Sequence, residues 1–222
     1  MRVVGGYNFK ENGISKSVVK RLPRYYRYLG ELLNAGVERI SSGELSKRMN
    51  VTASQIRQDL NNFGGFGQQG YGYNVRYLRE EIGKILGLND SHNMIIIGAG
   101  RIGQALANYP FDKYGFHTIG IFDKDPSLKG NLVKDMPVMM NEEIPSFIAS
   151  HDVDIAILAI PKEGANEMAP ILCDCGIRTF LNFSATDLNG ILPKDIIVEH
   201  VHLSESLMKL SYNLTLRKES DK

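Results

Sequence analysis

Two hydrophobic patterns divide the chain. Up to about residue 88, apolar side chains recur at helical spacing; beyond it, short unbroken apolar runs alternate with helical stretches. Ser15 is placed to cap a first helix that turns Val18, Val19 and Leu22 inward. Pro23 either kinks that helix or starts the next, which carries Tyr25, Tyr26, Tyr28, Leu29, Leu32 and Leu33 to a stop at Gly36. Ser42–Met49 reads as a short helix and Asn50-Val51 as a turn. Thr52 caps a helix from Ala53 to Asn62, with Ile56, Leu60 and Phe63 at i, i+4 and i+7 on its buried face. Five glycines interleaved with aromatics over Gly64–Val75 make a flexible linker or a β-hairpin wing, and their place after that helix fits the wing better. Val75–Gly87 is a short amphipathic helix (Val75, Leu78, Ile82, Ile85, Leu86), and Asn89–His92 a polar joint.

In the second half, strands are expected at Met94–Ile97, Thr118–Phe122, Ile155–Pro161, Thr179–Leu181 and Ile196–Val198. Helices fall at Arg101–Asn108, Asn141–Ser150, Glu163–Cys175 and Ser204–Leu216, the last with Leu207, Leu210, Tyr212 and Leu214 as its apolar content. Strands alternating with helices predict an α/β domain with a doubly wound parallel sheet. The expected organisation is an N-terminal arm at 1–14, a helical domain at 15–88, a Rossmann-like domain at 89–202 and a terminal helix and tail at 203–222.

Charge sharpens the division. The net charge of +1 over 222 residues hides 14 Lys+Arg against 7 Asp+Glu in residues 1–88, or +7, and 12 against 18 in residues 89–222, or −6. A basic half joined to an acidic half fits a polyanion-binding module attached to a different function. Cys173 and Cys175 stand at C-x-C spacing, neither a C-x-x-C redox pair nor a zinc ligand set, and no metal is expected. No apolar run approaches 18 residues and no apolar leader opens the chain, which reads as cytoplasmic, without a membrane partner.

In the basic half, two helices joined at Asn50–Thr52 make a helix-turn-helix; an ordinary helical hairpin is the alternative. The face of the second helix opposite its apolar stripe carries Ser54, Gln58 and Asn61, flanked by Gln55 and Arg57. These side-chain types read base edges in a major groove. Ser54, Gln55, Arg57 and Gln58 are the candidates for base contacts. Lys16, Arg21, Ser42, Thr52, Asn61, Gln69 and Tyr71 complete the DNA-binding set, while Asp59 lies near the core edge and is expected to pair internally.

In the acidic half, Gly98-Ala99-Gly100-Arg101-Ile102-Gly103 follows a strand and opens a helix. Gly98 makes the tight turn, Gly100 lets backbone approach a pyrophosphate, and Gly103 lets helix and strand pack closely; the helix N-terminus offers its N–H groups to phosphate. Asp123 ends the next strand, 20 residues after Gly103, where a carboxylate can hold an adenosine ribose 2′-OH and repel a 2′-phosphate. The cofactor expected is NAD(H), held by Gly98, Ala99, Gly100, Arg101, Ile102, Gly103, Asp123 and Lys124. Ala159, Ile160 and Pro161 at a strand end, with Asn182 and Phe183 after the next, complete the set. An oxidoreductase is the competing class, but His200 and His202 are the only paired acid–base candidates and no substrate domain remains. No catalytic residue is assigned.

Taken together, Lys20–Leu29, Ile56–Leu60 with Phe63-Gly64, Gly70–Val75, Gly98–Gly103, Tyr109-Pro110 and Leu181-Asn182-Phe183 closely resemble Rex, the family of bacterial redox-sensing transcriptional repressors, over roughly residues 15–217. The resemblance implies a winged helix-turn-helix, a Rossmann domain and a terminal helix swapped between partners of a homodimer. It also implies palindromic double-stranded operator DNA as partner, with NADH promoting release and NAD+ competing. Arg27, Tyr109, His202 and Leu203 fall at positions that change partners as such a dimer switches. His202 stands where the family usually has Asp, and a regulator of the same fold with weakened NADH response is the alternative. Gln58 stands where Lys or Arg is common, and Gln68-Gln69 add no charge to the wing, so a shallow salt dependence is expected. Asn182–Ala185 replaces a more usual Asn-Phe-Ala-Pro.

Overall fold

The structure, a computed structural model, describes residues 15–62, 67–68 and 71–220. The expectations for residues 1–14, Phe63, Gly64–Phe66, Gln69 and Gly70, and for the Lys16 and Gln68 side chains, lie outside the described residues. Two compact units are present, Met1–Asp90 and Ser91–Lys222.

The first unit is α1 (Lys16–Asn34), β1 (Arg39–Ile40), α2 (Ser42–Met49), α3 (Ala53–Asn61), β2 (Gly67–Gln68), β3 (Gly72–Asn74) and α4 (Val75–Ile85). The Ser15 side chain accepts from the Val18 N–H, and α1 runs through Pro23 as one helix rather than two. Its stripe at Val18, Leu22, Tyr25, Leu29 and Leu32 meets Leu45, Met49, Ile56, Leu60, Leu78 and Ile82 in one core. Val19, expected to face inward, is 46% exposed. The Leu22–Tyr25–Leu29 stripe already fixes the buried direction, and at about 100° per residue Val19 falls at its edge.

A Ser41–Glu44 capping box starts α2, and Asn50 ends it in the left-handed region at φ 52°. Thr52 then caps α3 by accepting from the Gln55 N–H. The wing is a hairpin of β2 and β3, antiparallel, with β1 on the far side of β3. Gly72 sits at φ +70°, and a Cβ there would lie 2.6 Å from the Ile40 carbonyl oxygen, so the turn requires glycine.

The second unit comprises β4 (His92–Ile97), α5 (Arg101–Ala107), β5 (Phe116–Asp123), β6 (Leu132–Val133), β7 (Met136–Met140), α6 (Ile144–Ser150), β8 (Ile155–Leu158), α7 (Lys162–Asp174), β9 (Thr179–Asn182), β10 (Ile197–His200) and α8 (Leu203–Ser220). The sheet order is β10-β9-β8-β4-β5-β7-β6, parallel except for the β6–β7 pair. Numbered among the six parallel strands, this is the 3-2-1-4-5-6 order of a dinucleotide-binding sheet. Alternate residues of β4 face opposite layers. Ile95 and Ile97 meet Ala165, Ala169 and Leu172 of α7, while Met94 and Ile96 share the other layer with Ala107 of α5.

Three expectations change. The strand expected at Ile155–Pro161 stops at Leu158; the Ala159 N–H still donates to the Ile97 carbonyl, and Pro161, which has no N–H to donate, precedes α7. The β6–β7 hairpin was not expected. The terminal helix runs to Ser220, and Leu207, Leu210, Tyr212 and Leu214 are all more than half exposed.

Candidate functional site

On the first unit, Ser54, Arg57, Gln58 and Asn61 lie exposed along α3, as the helical geometry requires once Ile56 and Leu60 are buried. The Arg57 guanidinium donates to the Ser42 hydroxyl at 3.0 Å, which brings the start of α2 to the same face. Thr52 Oγ1 lies 3.0 Å from Ser54 Oγ at the helix start. Tyr71 stands 70% exposed at the wing, with the Arg39 guanidinium 6.0 Å from its ring centroid and donating to its carbonyl. Arg39 was not expected in this face; only the strand pairing that places β1 beside β3 reveals it.

Asp59 is internal, as its position predicts, and it claims two of the residues assigned to DNA. Its carboxylate is fully buried and accepts from Arg21 Nε at 2.6 Å, Arg21 Nη2 at 2.8 Å, the Tyr25 hydroxyl at 2.9 Å and Gln55 Nε2 at 2.8 Å. Burial pushes the Asp59 carboxyl up, but the Arg21, Gln55 and Tyr25 hydrogen bonds outweigh it and hold the group below the ordinary carboxylate range. Burial, and then the bond to Asp59, push the Tyr25 phenol up. Arg21 and Gln55, both expected on the DNA face, donate inward to Asp59 in this structure.

On the second unit, the switch point lies between β4 and β8, outside whose carboxyl ends such sheets bind ligands. Gly98 sits at φ +104°, and a Cβ there would lie 2.6 Å from the Ala159 carbonyl oxygen. A Cβ on Gly103 would overlap the Gly98 carbonyl oxygen, so helix and strand pack as expected. A Cβ on Gly100 would meet nothing within 4 Å. That is open space above the backbone. Asp123 is fixed from two sides, Oδ2 accepting from the Ala99 N–H at 2.7 Å and Oδ1 from the Asp125 N–H at 3.0 Å. Its remaining lone pairs are free to take hydroxyl donors.

A cleft of about 500 Å³ opens here, lined by Gly98, Gly100, Asp123, Lys124, Ala159, Ile160 and Pro161 from the expected set. Arg101 and Ile102 are exposed on the first turn of α5. Two of the expected residues are engaged within the fold. Ala99 is buried and its N–H donates to the Asp123 carboxylate. Asn182 is fully buried: its amide donates to the Thr186 carbonyl, approaches His200 Nδ1 at 3.1 Å, and its oxygen accepts from the Ser184 N–H and hydroxyl. It organises the loop beside the crevice. Phe183, half-buried, packs in the layer that holds Ala99. The cleft also contains Asn141, Glu163, Gly164, Glu167, Met168 and Ile171, all unexpected. The available signal was Glu163 and Glu167 one helical turn apart, directly after a strand end.

Among the positions expected to switch, Arg27 Nε lies 3.9 Å from Glu31, both side chains being well exposed. Tyr109 is half-exposed against Phe111, and His202 stacks on His200 with centroids 5.5 Å apart. Leu203 is 67% exposed. Cys173 is buried, which pushes its thiol up, and neither cysteine is paired. Among the described residues no group of His, Cys, Asp and Glu could hold a metal ion, and no helix is long and apolar enough to cross a membrane.

Comparison with known proteins agrees in both halves. Residues 13–61 match a family model described as "Putative DNA-binding protein N-terminus", and residues 89–186 one described as a CoA binding domain. The chain is 56% identical over 206 residues to the redox-sensing transcriptional repressor Rex of Caldanaerobacter subterraneus subsp. tengcongensis, covering 92% of this chain and 91% of the relative. It is 52% identical over 200 residues to the protein of the same name from Clostridioides difficile, covering 90% and 94%. A crystal structure of RSP in complex with β-NAD+ and operator DNA superposes with a TM-score of 0.86 at 54% identity, covering 94% of this chain and 95% of that one. RSP in complex with β-NADH gives 0.86 at 51%, covering 94% and 97%. The chain belongs to the Rex family of redox-sensing transcriptional repressors.

Proposed function

We propose that this chain is a dimeric, cytoplasmic repressor that binds palindromic operator DNA through α3 and its wing and releases it as NADH rises. One observation carries the reading: a single chain joins a helix-turn-helix with an exposed polar face to a crevice with an open glycine turn and a fixed carboxylate. The relatives are repressors rather than enzymes, and RSP has been crystallised with operator DNA and with both forms of the dinucleotide. Ser54, Arg57, Gln58 and Asn61 meet base edges, and Ser42, Thr52 and Tyr71 the flanking backbone. Gly98–Gly103 carries the pyrophosphate and Asp123 the adenosine ribose. A phosphorylated ribose, as in coenzyme A or NADP(H), is disfavoured by the cleft's carboxylates. The exposed apolar residues of α8 are the face a second subunit would cover, as the swapped helix of a homodimer.

Release requires that NADH bind one domain arrangement better than the other, since equal affinity shifts nothing. NAD+ carries a positive charge on its nicotinamide and NADH does not. An apolar wall at Phe183 spares the burial of that charge and favours NADH.

The test is fluorescence anisotropy of a labelled operator of the kind crystallised with RSP, titrated with NADH, NAD+ and NADPH at one salt concentration. Release by micromolar NADH, with NAD+ weak and NADPH weaker, is expected. Binding that ignores all three would overturn the redox part. One observation favours that second reading, a DNA-binding regulator of weakened response: His202 offers no carboxylate and stacks on His200. His202→Asp is accordingly expected to raise NADH sensitivity a few-fold, an exposed ion pair being worth about 0.2–1 kcal/mol. Unchanged sensitivity in the same titration would remove His202 from the switch.

A further inference from the structure

We propose that Glu167 is a specificity-determining residue that accepts a hydrogen bond from the 6-amino group of the ligand's adenine, so that the cleft selects an adenine dinucleotide over a 6-oxopurine one. The inference rests on the dinucleotide reading above and adds to it the end of the ligand this cleft takes and the group it recognises there.

The Asp123 ribose site decides which end enters. Four charged residues line the cleft, the carboxylates of Asp123, Glu163 and Glu167 and the ammonium of Lys124, a balance of −2. The two phosphates belong at the glycine turn, which itself lines the cleft, and the net negative lining favours uncharged donor groups elsewhere in it. The uncharged adenosine half is the part that the cleft accepts. Its walls suit a purine, since Ile160, Pro161, Met168 and Ile171 provide apolar surface on both the loop and the helix.

Glu163 and Glu167 then call for an explanation of their own. They stand at i and i+4 on α7, a like-charged spacing that weakens a helix by about 0.2–0.5 kcal/mol. Neither side chain makes a hydrogen bond or ion pair with another described residue. Two carboxylates without a partner among the described residues, beside apolar walls, match a ligand edge rich in donors. Adenosine supplies these: two N–H groups on the exocyclic amine and the hydroxyls of the ribose. Glu163, in the first turn of α7, lies toward the strand ends and the Asp123 ribose site. Glu167 lies one turn further along the helix, next to Met168, where the base is. A 6-oxopurine would turn an acceptor oxygen toward this carboxylate.

The experiment is isothermal titration of the full chain with NADH and with nicotinamide hypoxanthine dinucleotide (reduced), which has a 6-oxo group and an N1–H in place of the 6-amino group and the N1 lone pair. NADH is expected to bind at least about tenfold more tightly, the range of a hydrogen bond to a charged acceptor. In Glu167→Gln the carboxamide can donate as well as accept, so the ratio is expected to fall to within about threefold, with NADH still bound. Glu167 is exposed, and the variant's unfolding transition checks that the fold is kept. Equal binding of the two dinucleotides by the unaltered chain, or a ratio unchanged in Glu167→Gln, overturns the proposal while leaving the dinucleotide site intact. No binding of NADH by the unaltered chain overturns the dinucleotide reading, and this proposal with it.

Discussion

Gly103→Ala is expected to abolish NADH binding and to destabilise residues 91–222 by more than about 3 kcal/mol, the scale of an overpacked core with no room to relax. A methyl group there overlaps the carbonyl oxygen of Gly98, which is main chain and has no alternative rotamer. Gly98 cannot yield either. It is held at φ +104° with the Ala159 carbonyl 2.6 Å from where its own Cβ would be, and its N–H donates to the Phe122 carbonyl at 2.7 Å. The whole of α5 must therefore move off β4. Gly100→Ala is the control, because its Cβ would enter open space at φ −70°, which any residue adopts. It should unfold with the unaltered chain and still lose at least about tenfold in NADH affinity, by occupying the place of the pyrophosphate. Thermal unfolding and NADH titration of the two variants separate packing from ligand contact. Wild-type binding by Gly103→Ala would show that the turn is not packed in this way.

This turn was legible in the sequence because everything it needs is local: four apolar residues, three glycines at fixed offsets and a carboxylate at the end of the next strand. The caps at Ser15 and Thr52 were legible for the same reason. What escaped depends on partners distant along the chain. Met136–Met140 carries a proline and three methionines, poor strand signals, and is a strand because Val138 pairs with Ile121 of β5. Ala159 and Ile160 are as apolar as the strand before them, and hydropathy alone does not mark where a ladder ends. Asn182 looked like a ligand contact, but Ser184, Thr186 and His200 use its amide within the fold. Glu163 and Glu167 read as a solvated helix face until the cleft beside them was seen.

Arg21 was expected on the DNA face, and its partner is 38 positions away. The two roles predict opposite results for Arg21→Met. As a phosphate contact, its loss would leave stability unchanged and reduce the salt slope of operator binding by about 1. As the partner of a buried carboxylate, its loss leaves Asp59 with only the neutral donors Tyr25 and Gln55, and residues 15–90 should lose about 3–5 kcal/mol. The second result is expected, with the salt slope of the folded fraction unchanged. Its pH dependence has a definite sign. In the unaltered chain the Asp59 carboxyl lies below its unfolded value, so its stabilisation is present above the unfolded pKa, about 3.9, and is lost as pH falls through the lower folded value. Without Arg21 the largest lowering hydrogen bond is lost, and burial, the largest single cause acting on this carboxyl, is expected to raise the folded pKa above the unfolded one. The variant then loses stability as pH rises above about 4 and is closest to the unaltered chain in acid. Urea unfolding at pH 7 and pH 5 reads this as a gap between the two proteins that narrows at the lower pH. Asp59→Asn introduced into Arg21→Met removes the buried charge and should recover part of the loss at pH 7 while removing its pH dependence. Stability at pH 7 within about 1 kcal/mol of the unaltered chain, together with a reduced salt slope, would return Arg21 to the DNA face.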